Sequence, residues 1–473
     1  MLDSRNSLFL LSQKKMIMNK IAGWLGCLVI SAFTAKAANE GKPNFIIINI
    51  DDLGYADIGP FGSALNRTPN LDRMAREGCK VTSFYGAPVC SPSRAALMTG
   101  CYPKRVLPIP HVFFPISAQG LATEEITVAE ALRARGYATG MVGKWHLGDQ
   151  LDFLPTRQGF DSWFGLPYSN DMGPARDGVK SSFGQPLPKE GKGQPPLPLM
   201  RNETVIQTVL AQDQETLVAR YTEEALAFIK ANQQRPFFLY LAHNAVHWPL
   251  YPSEKFRGKS KNGLFGDWVE EMDWSVGELL NTLRELGLDE KTLVIFVSDN
   301  GGTGYSVNKP LRGQKGSTWE GGMRVPCLAW WPGKIPAASE CAAICGMFDI
   351  LPTFVALSGG AIDAGRKIDG RNLWPVLTGV KNAEPPHKEF LYFKGLVLEA
   401  VRKENWKLHL AKGELYDLGS DIGESNNIAS AHPDVVKRLQ SLADATESDL
   451  GKTTAGPGTR ALGKVDHPRA LAE

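Results

Sequence analysis

Several short runs of this chain gather side chains that can hold a cation, bind an anion or move a proton. Ile50-Asp51-Asp52 directly follows Asn44 to Asn49, an apolar, β-branched run. Asp299-Asn300 follows Leu293 to Ser298 in the same manner. Adjacent carboxylates at the end of a buried strand are costly to leave unpaired, and a divalent cation is the simplest compensation. Carboxylate and amide oxygens are hard donors, which suits Ca²⁺ or Mg²⁺. Lys144 and His146 follow a third such run, Tyr137 to Val142. Two residues apart at a strand end, they can point the same way, and a cation beside an imidazole suits a tetrahedral oxyanion. His243 and His247 follow a fourth run, Arg235 to Ala242. His243 is read as a packed histidine.

The run Pro88 to Gly100 holds Cys90, Ser91, Pro92, Ser93 and Arg94, followed by the helix formers Ala95, Ala96, Leu97 and Met98. Gly100 ends that stretch, as glycine often does beyond a helix. A reactive group placed here sits near free backbone N–H donors, which favour an anion. Cys90-x-Pro92-Ser93-Arg94 with Ala95-Ala96-Leu97-x-Thr99-Gly100 resembles the signature of the formylglycine-dependent (type I) sulfatases of the alkaline phosphatase superfamily. Gly143-Lys-Trp-His-Leu-Gly148 resembles a second motif of that family. Pro155 to Asp171, with Ser169 in a Pro-Tyr-Ser context, is similar to the arylsulfatase A and N-acetylgalactosamine-6-sulfatase branch.

The resemblance implies that Cys90 is oxidised to Cα-formylglycine by a formylglycine-generating or sulfatase-maturating enzyme. The hydrated aldehyde is a geminal diol: one oxygen attacks sulfur, and the other later lets sulfate leave. It implies a calcium ion, with Mg²⁺ the lesser alternative, held by Asp51, Asp52, Asp299, Asn300 and the group at position 90. Arg94 would hold the hydrate and Asp299 would accept its proton. Lys144, Ser169, His247 and Lys315 would clamp the sulfate, with Lys315 drawn from the Gly-rich run Pro310 to Pro326. Lys315 or His247 would protonate the leaving alcohol, and His146 would take the last proton. Glu320 and Arg324 are expected to brace the loop. The substrate implied is a sulfated saccharide, with Trp163, Tyr168 and Trp248 as candidate stacking platforms. Two other readings stay open: a phosphomonoester or phosphonate hydrolase of the same superfamily, and a non-catalytic binder of sulfated glycans.

These residues need a scaffold that brings strand ends together. Four apolar runs ending in polar residues, alternating with helical patterns, predict an α/β domain. A large, mostly parallel central sheet flanked by helices, alkaline phosphatase-like, is expected over 38–380. Short strands at 389–393, 396–402, 406–410 and 414–417, then a helix from Pro433 to Ala443, predict a small antiparallel sheet over 381–450. The Gly-, Thr- and Lys-rich 451–473 reads as a flexible tail. Residues 172–203 read as a loop, Thr208 to Lys230 as a helix, and Cys341 and Cys345 as sharing a helical face.

Residues 1–37 carry Lys14, Lys15 and Lys20 ahead of an apolar run, then Ala35-Lys-Ala37, the pattern of a cleaved signal peptide. A secreted or periplasmic protein is expected, without a stable membrane span. Six cysteines lie beyond that segment, too few to scaffold a chain of 473 residues. The formal charge of +2 argues against a nucleic-acid partner.

Overall fold

The first core strand shows why the sheet forms. In Asn44–Ile50, Phe45 and Ile47 enter one hydrophobic core, while Ile46, Ile48 and Ile50 enter another. Alternation with both faces buried makes a continuous apolar run, the mark of a strand covered by helices on both sides. The computed structural model describes residues 41–186 and 194–472. The expected signal peptide 1–37 and seven residues of the 172–203 stretch lie outside the described residues.

Eleven strands make the main sheet: β1 (Asn44–Ile50), β2 (Cys79–Tyr85), β3 (Ala138–Gly143), β4 (Ser162–Gly165), β5 (Pro198–Arg201), β6 (Thr204–Thr208), β7 (Phe237–Ala242), β8 (Thr292–Ser298), β9 (Arg324–Trp330), β10 (Ser339–Cys341) and β11 (Cys345–Gly346). Their order is β10-β2-β9-β8-β1-β7-β3-β4-β5-β6, with β11 also on β2. The central run β8-β1-β7-β3-β4 is parallel throughout. The principal helices are α1 (Pro69–Glu77), α2 (Cys90–Thr99), α3 (Val128–Arg133), α4 (Leu217–Asn232), α5 (Gly263–Glu285) and α6 (Ile350–Leu357). Helices α2, α3 and α6 line one core and α1, α4 and α5 the other. Thr127 caps α3 with a reciprocal bond to Glu130, which fixes where that helix starts.

The smaller sheet is as expected: β12 (Glu389–Lys394), β13 (Val397–Lys403), β14 (Trp406–His409) and β15 (Glu414–Asp417) form an antiparallel meander. Helix α7 (Pro433–Ala445) covers it through Val435, Leu439 and Ala443 on Val401, Leu408 and Leu415.

Three local expectations change. Cys341 and Cys345 do not share a helix; they lie in β10 and β11, parallel to β2, where Glu340 faces Lys80 in register at 2.9 Å. The 172–203 stretch ends in strand β5, which pairs with β6, so the expected helix begins at Leu217 instead of Thr208. Residues 451–472 are fastened down: Gly463–Lys464 pairs with Gln119–Gly120, Arg460 N donates to Arg105 O at 2.6 Å, and Arg469 N donates to Gln150 Oε1 at 2.8 Å. Distant partners, invisible to local composition, decide these cases.

Candidate active site

The carboxyl ends of β1, β3, β7 and β8 lie side by side, and each delivers polar residues there. β1 runs into Asp51-Asp52, β3 into Lys144-Trp145-His146, β7 into His243 to His247, and β8 into Asp299-Asn300. Such an edge is where open α/β sheets bind ligands. Helix α2 starts at Cys90, with its ten residues all buried. Ser93 ties the helix to the sheet: its Oγ donates to Asp299 O and accepts from Ala87 N at 3.0 Å. Gly86 makes that approach possible, since a Cβ there would lie 2.2 Å from Asp299 O. No role for Ser93 follows from the motif alone.

The carboxylates are held by specific cations. Lys144 Nζ binds Asp51 Oδ2 and lies 3.1 Å from Ser169 Oγ. Lys315 Nζ is 2.7 Å from Asp52 Oδ1. Arg94 donates to Asp299 Oδ2 at 2.9 Å, to Lys144 O at 2.5 Å and to Asp51 Oδ2 at 3.4 Å. Arg94 therefore braces the carboxylates and the β3 end. The Cys90 thiol lies 3.4 Å from Asp51 Oδ1. Asn300 Nδ2 donates to Asp52 Oδ1 at 2.8 Å. His247 Nε2 is 3.6 Å from Asp52 Oδ2, and its Nδ1 is 3.4 Å from Ser169 Oγ. Asp51, Asp52, Cys90, Arg94, Lys144, Ser169, His247, Asp299, Asn300 and Lys315 are thus linked by direct contacts, while His146 follows Lys144 at the end of β3 and contacts Phe113.

Two left-handed backbones mark the site. Asp52 has φ 63° and His146 φ 64°. Non-glycine residues there cost about 1–3 kcal/mol each, and such strain persists where the surroundings over-determine it. His146 Nε2 lies 3.0 Å from Phe113 O, so Nε2 carries the proton and Nδ1 the lone pair. Nδ1 is buried and without a partner. His247 Nδ1 donates to Trp248 O at 2.5 Å, leaving Nε2 turned to Asp52. The carbonyls of Phe113 and Trp248 are missed by motif reading, because any residue type supplies one.

Burial and charge set the protonation states. Burial drives the Asp51 carboxyl up, but Lys144, His247, Arg94 and Lys315 together overcome it and hold the acid well below its usual range. Burial, with Asp51 alongside, pushes Asp299 up to about 6 against the pull of Arg94. Burial and then the Asp51 charge drive the Cys90 thiol far up, so a free cysteine here is no thiolate nucleophile. Burial, then Lys144 and Arg94, keep His146 neutral. Burial and Lys315 lower His247. Burial opposes the charged form of Lys315, but Asp52 outweighs it and keeps the ammonium.

The donor set fits a hard cation. One ligand atom each from Asp51, Asp52, Cys90 and His247 lies within 4.8 Å of the others. Asn300 Oδ1 is buried without a donor. Asp299 Oδ1 meets only the Asp52 amide, at 3.4 Å. A cation beside Asp52 would be met by the Asn300 oxygen once that amide, whose Nδ2 faces Asp52 Oδ1, is turned over. Asp51, Asp52 and Asp299 balance the charges of Arg94, Lys144 and Lys315, so a divalent ion would turn the pocket positive.

Residues 43–360 match the family model described as Sulfatase. The chain is 37% identical to human arylsulfatase A, over 92% of this chain and 94% of the relative. The chain belongs to the sulfatase family. It is an enzyme of that class, and this sulfatase also shares 38% identity with canine N-acetylgalactosamine-6-sulfatase, over 82% of its own length and 75% of the relative's. Among solved structures, the PsFucS1 sulfatase from Pseudoalteromonas superposes with a TM-score of 0.77 at 26% identity, covering 92% of this chain and 95% of that one. The structure of Ps i-CgsB in complex with k-i-k-neocarrahexaose superposes with a TM-score of 0.71 at 31% identity, covering 85% and 92%.

The three aromatic candidates separate. Trp163 and Tyr168 are 1% and 3% exposed and pack the two cores. Trp248 alone reaches an open cleft. His243 is packed as expected, its Nε2 3.1 Å from Ser275 Oγ and its pKa lowered by burial to about 3. Glu320 and Arg324 lie away from the anion-binding residues, in a polar network beneath the smaller sheet.

Proposed function

We propose that this sulfatase hydrolyses O-sulfate monoesters of saccharides, with formylglycine at position 90 and a calcium ion held by Asp51, Asp52, Asp299 and Asn300. The observation that carries this reading is geometric: ligand atoms of Asp51, Asp52, Cys90 and His247 lie within 4.8 Å of one another, with the Lys144 and Lys315 ammonium groups on the same carboxylates. Formylglycine hydrate would supply a hydroxyl nucleophile and the cation would polarise it and a sulfate oxygen.

The remaining work falls to residues of this chain. Lys144, Lys315, His247 and Ser169 surround the position beside Asp51 and Asp52 and would bind the sulfate oxygens more strongly as charge builds on them. Asp299 would accept the attacking hydroxyl's proton. Lys315 Nζ, kept as an ammonium by Asp52, would deliver a proton to the leaving oxygen; His247 Nε2 could do so only from the imidazolium, because the neutral ring keeps its proton on Nδ1 toward Trp248 O. His146 Nδ1 has the free lone pair needed to take the final proton, and Phe113 O holds its tautomer.

The saccharide assignment draws on the relatives: one is named for N-acetylgalactosamine-6-sulfate chemistry, and one structure holds a neocarrahexaose. Export to an extracytoplasmic space after cleavage at Ala37 would expose the enzyme to such glycans. Cys90 is 2% exposed, so the maturing enzyme would have to reach it before the fold closes.

Two measurements test the reading together. The peptide containing position 90 from active protein should be about 18 Da lighter than the cysteine form. Turnover on an aryl sulfate should exceed that on the matched aryl phosphate. Full activity from unmodified Cys90 protein, or faster phosphate release, would refute it.

A further inference from the structure

A cleft of about 680 Å³ opens beside the site, a size typical of pockets for small molecules. Its lining includes Trp248, Tyr305 and Lys180, the buried apolar Leu250 and Phe265, and Asn262. Two of these residues continue directly from the active site. Trp248 follows His247 and accepts the His247 Nδ1 proton through its carbonyl. Tyr305 precedes Ser306, whose Oγ donates to Asp52 O at 3.2 Å.

Exposure differs across the cleft. Tyr305 is 54% exposed, whereas Leu250 and Phe265 are 5% and 4% exposed. Lys180 is 36% exposed, and its carboxylate partner Asp171 stands 3.8 Å away. An exposed ion pair of that length is worth little, so an anionic ligand can compete with Asp171 for the ammonium. Aromatic faces take the C–H face of a sugar ring, and amide and ammonium groups take its hydroxyls and anionic substituents.

We propose that this cleft is a second saccharide subsite: it receives the ring next to the sulfated one, and Lys180 reads an anionic group on that neighbour. The proposal rests on the saccharide reading above and adds to it a substrate class, an acidic oligosaccharide in preference to a sulfated monosaccharide. Tyr305 and Lys180 would be specificity residues that take no part in sulfate transfer.

The test uses the modified holoenzyme, 4-nitrophenyl sulfate, and a panel of monosulfated hexoses and their disaccharides. The disaccharides are matched pairs whose second ring is neutral or carries a carboxylate or sulfate. The readout is the ratio of kcat/KM on a disaccharide to that on the aryl sulfate, which does not depend on the fraction folded. Tyr305→Ala should lower that ratio about tenfold, chiefly through KM, and Tyr305→Phe should restore it. Lys180→Gln should lower the preference for the anionic over the neutral neighbour about fivefold and reduce its salt dependence. Ratios within twofold of wild type in both variants, with sugar sulfates still hydrolysed, would overturn the subsite alone. Hydrolysis of aryl sulfate with none of any sugar sulfate would overturn the saccharide reading and the subsite with it.

Discussion

Two of the buried charged clusters among the described residues are finished to different degrees. Around Glu320 every polar group is matched. Its carboxylate accepts from Tyr85 at 2.6 Å, Tyr392 at 2.7 Å and Lys407 at 2.9 Å. Lys407 also meets Glu424 at 2.8 Å, and Glu424 takes the Glu320 amide at 2.7 Å and His409 at 3.0 Å. Around Asp51 and Asp52 the charges balance, yet Asn300 Oδ1 and His146 Nδ1 are buried without partners and two residues hold left-handed backbones. A saturated network has nothing left to offer a ligand and serves to join elements, here the Glu320 segment to β2 and the smaller sheet. An unsaturated one keeps polar groups ready for something that arrives.

The contrast breaks most sharply at Cys90. Cys90→Ala should reduce turnover about a thousandfold or more while leaving the melting temperature near wild type. A large loss of stability with it would make position 90 a packing residue. The mirror experiment is Lys407→Met, which strands Glu320 and Glu424. It should cost about 3–5 kcal/mol in denaturant unfolding, while the folded fraction keeps its kcat. An intact stability would mean the cluster is not a structural joint.

Cation binding sharpens the comparison further. Added Ca²⁺ should raise the melting temperature of chelated protein, worth about 2.7 kcal/mol at a hundredfold excess over Kd. Asp52→Asn should abolish most of that shift. Calorimetric titration of the metal would check it, and equal shifts in both proteins would remove Asp52 from the ligand set.

The smallest effect is in pH. In metal-free protein the Asp299 carboxyl is raised by burial and Asp51 to about 6, above its unfolded value of about 3.9. The native state then binds the extra proton between those values, so this group's contribution falls as pH rises from about 4 to 6. Glu320 behaves oppositely. Burial alone would raise it, but Lys407, Arg324 and Arg402 hold it well below the usual range. Its contribution is present above about pH 4.3 and is lost as pH falls below that. Melting chelated Asp299→Asn across pH 4–6 should show a flatter decline than wild type.

What local pattern determined was the set of strands and the chemistry at their ends. Period-two and all-apolar runs identify β1, β3, β7 and β8. Once such strands pair in parallel, Asp51, Lys144, His247 and Asp299 must meet at one edge, because every strand points the same way. The cysteine-to-arginine run and its companions carried the family as well, since their spacing reflects that shared geometry. Tertiary structure decided the rest. Lys144 binds Asp51 and Lys315 binds Asp52, choices made by loops 93 and 263 positions apart in the chain. Trp163, within β4, and Tyr168, just after it, vanish into the two cores, while Trp248, which follows β7, stays open. Glu320 finds Lys407 across 87 residues, and the 451–472 stretch finds Gln119 and Arg105. Burial and pairing at such separations depend on which surfaces meet when the sheet assembles, and that property belongs to no single segment.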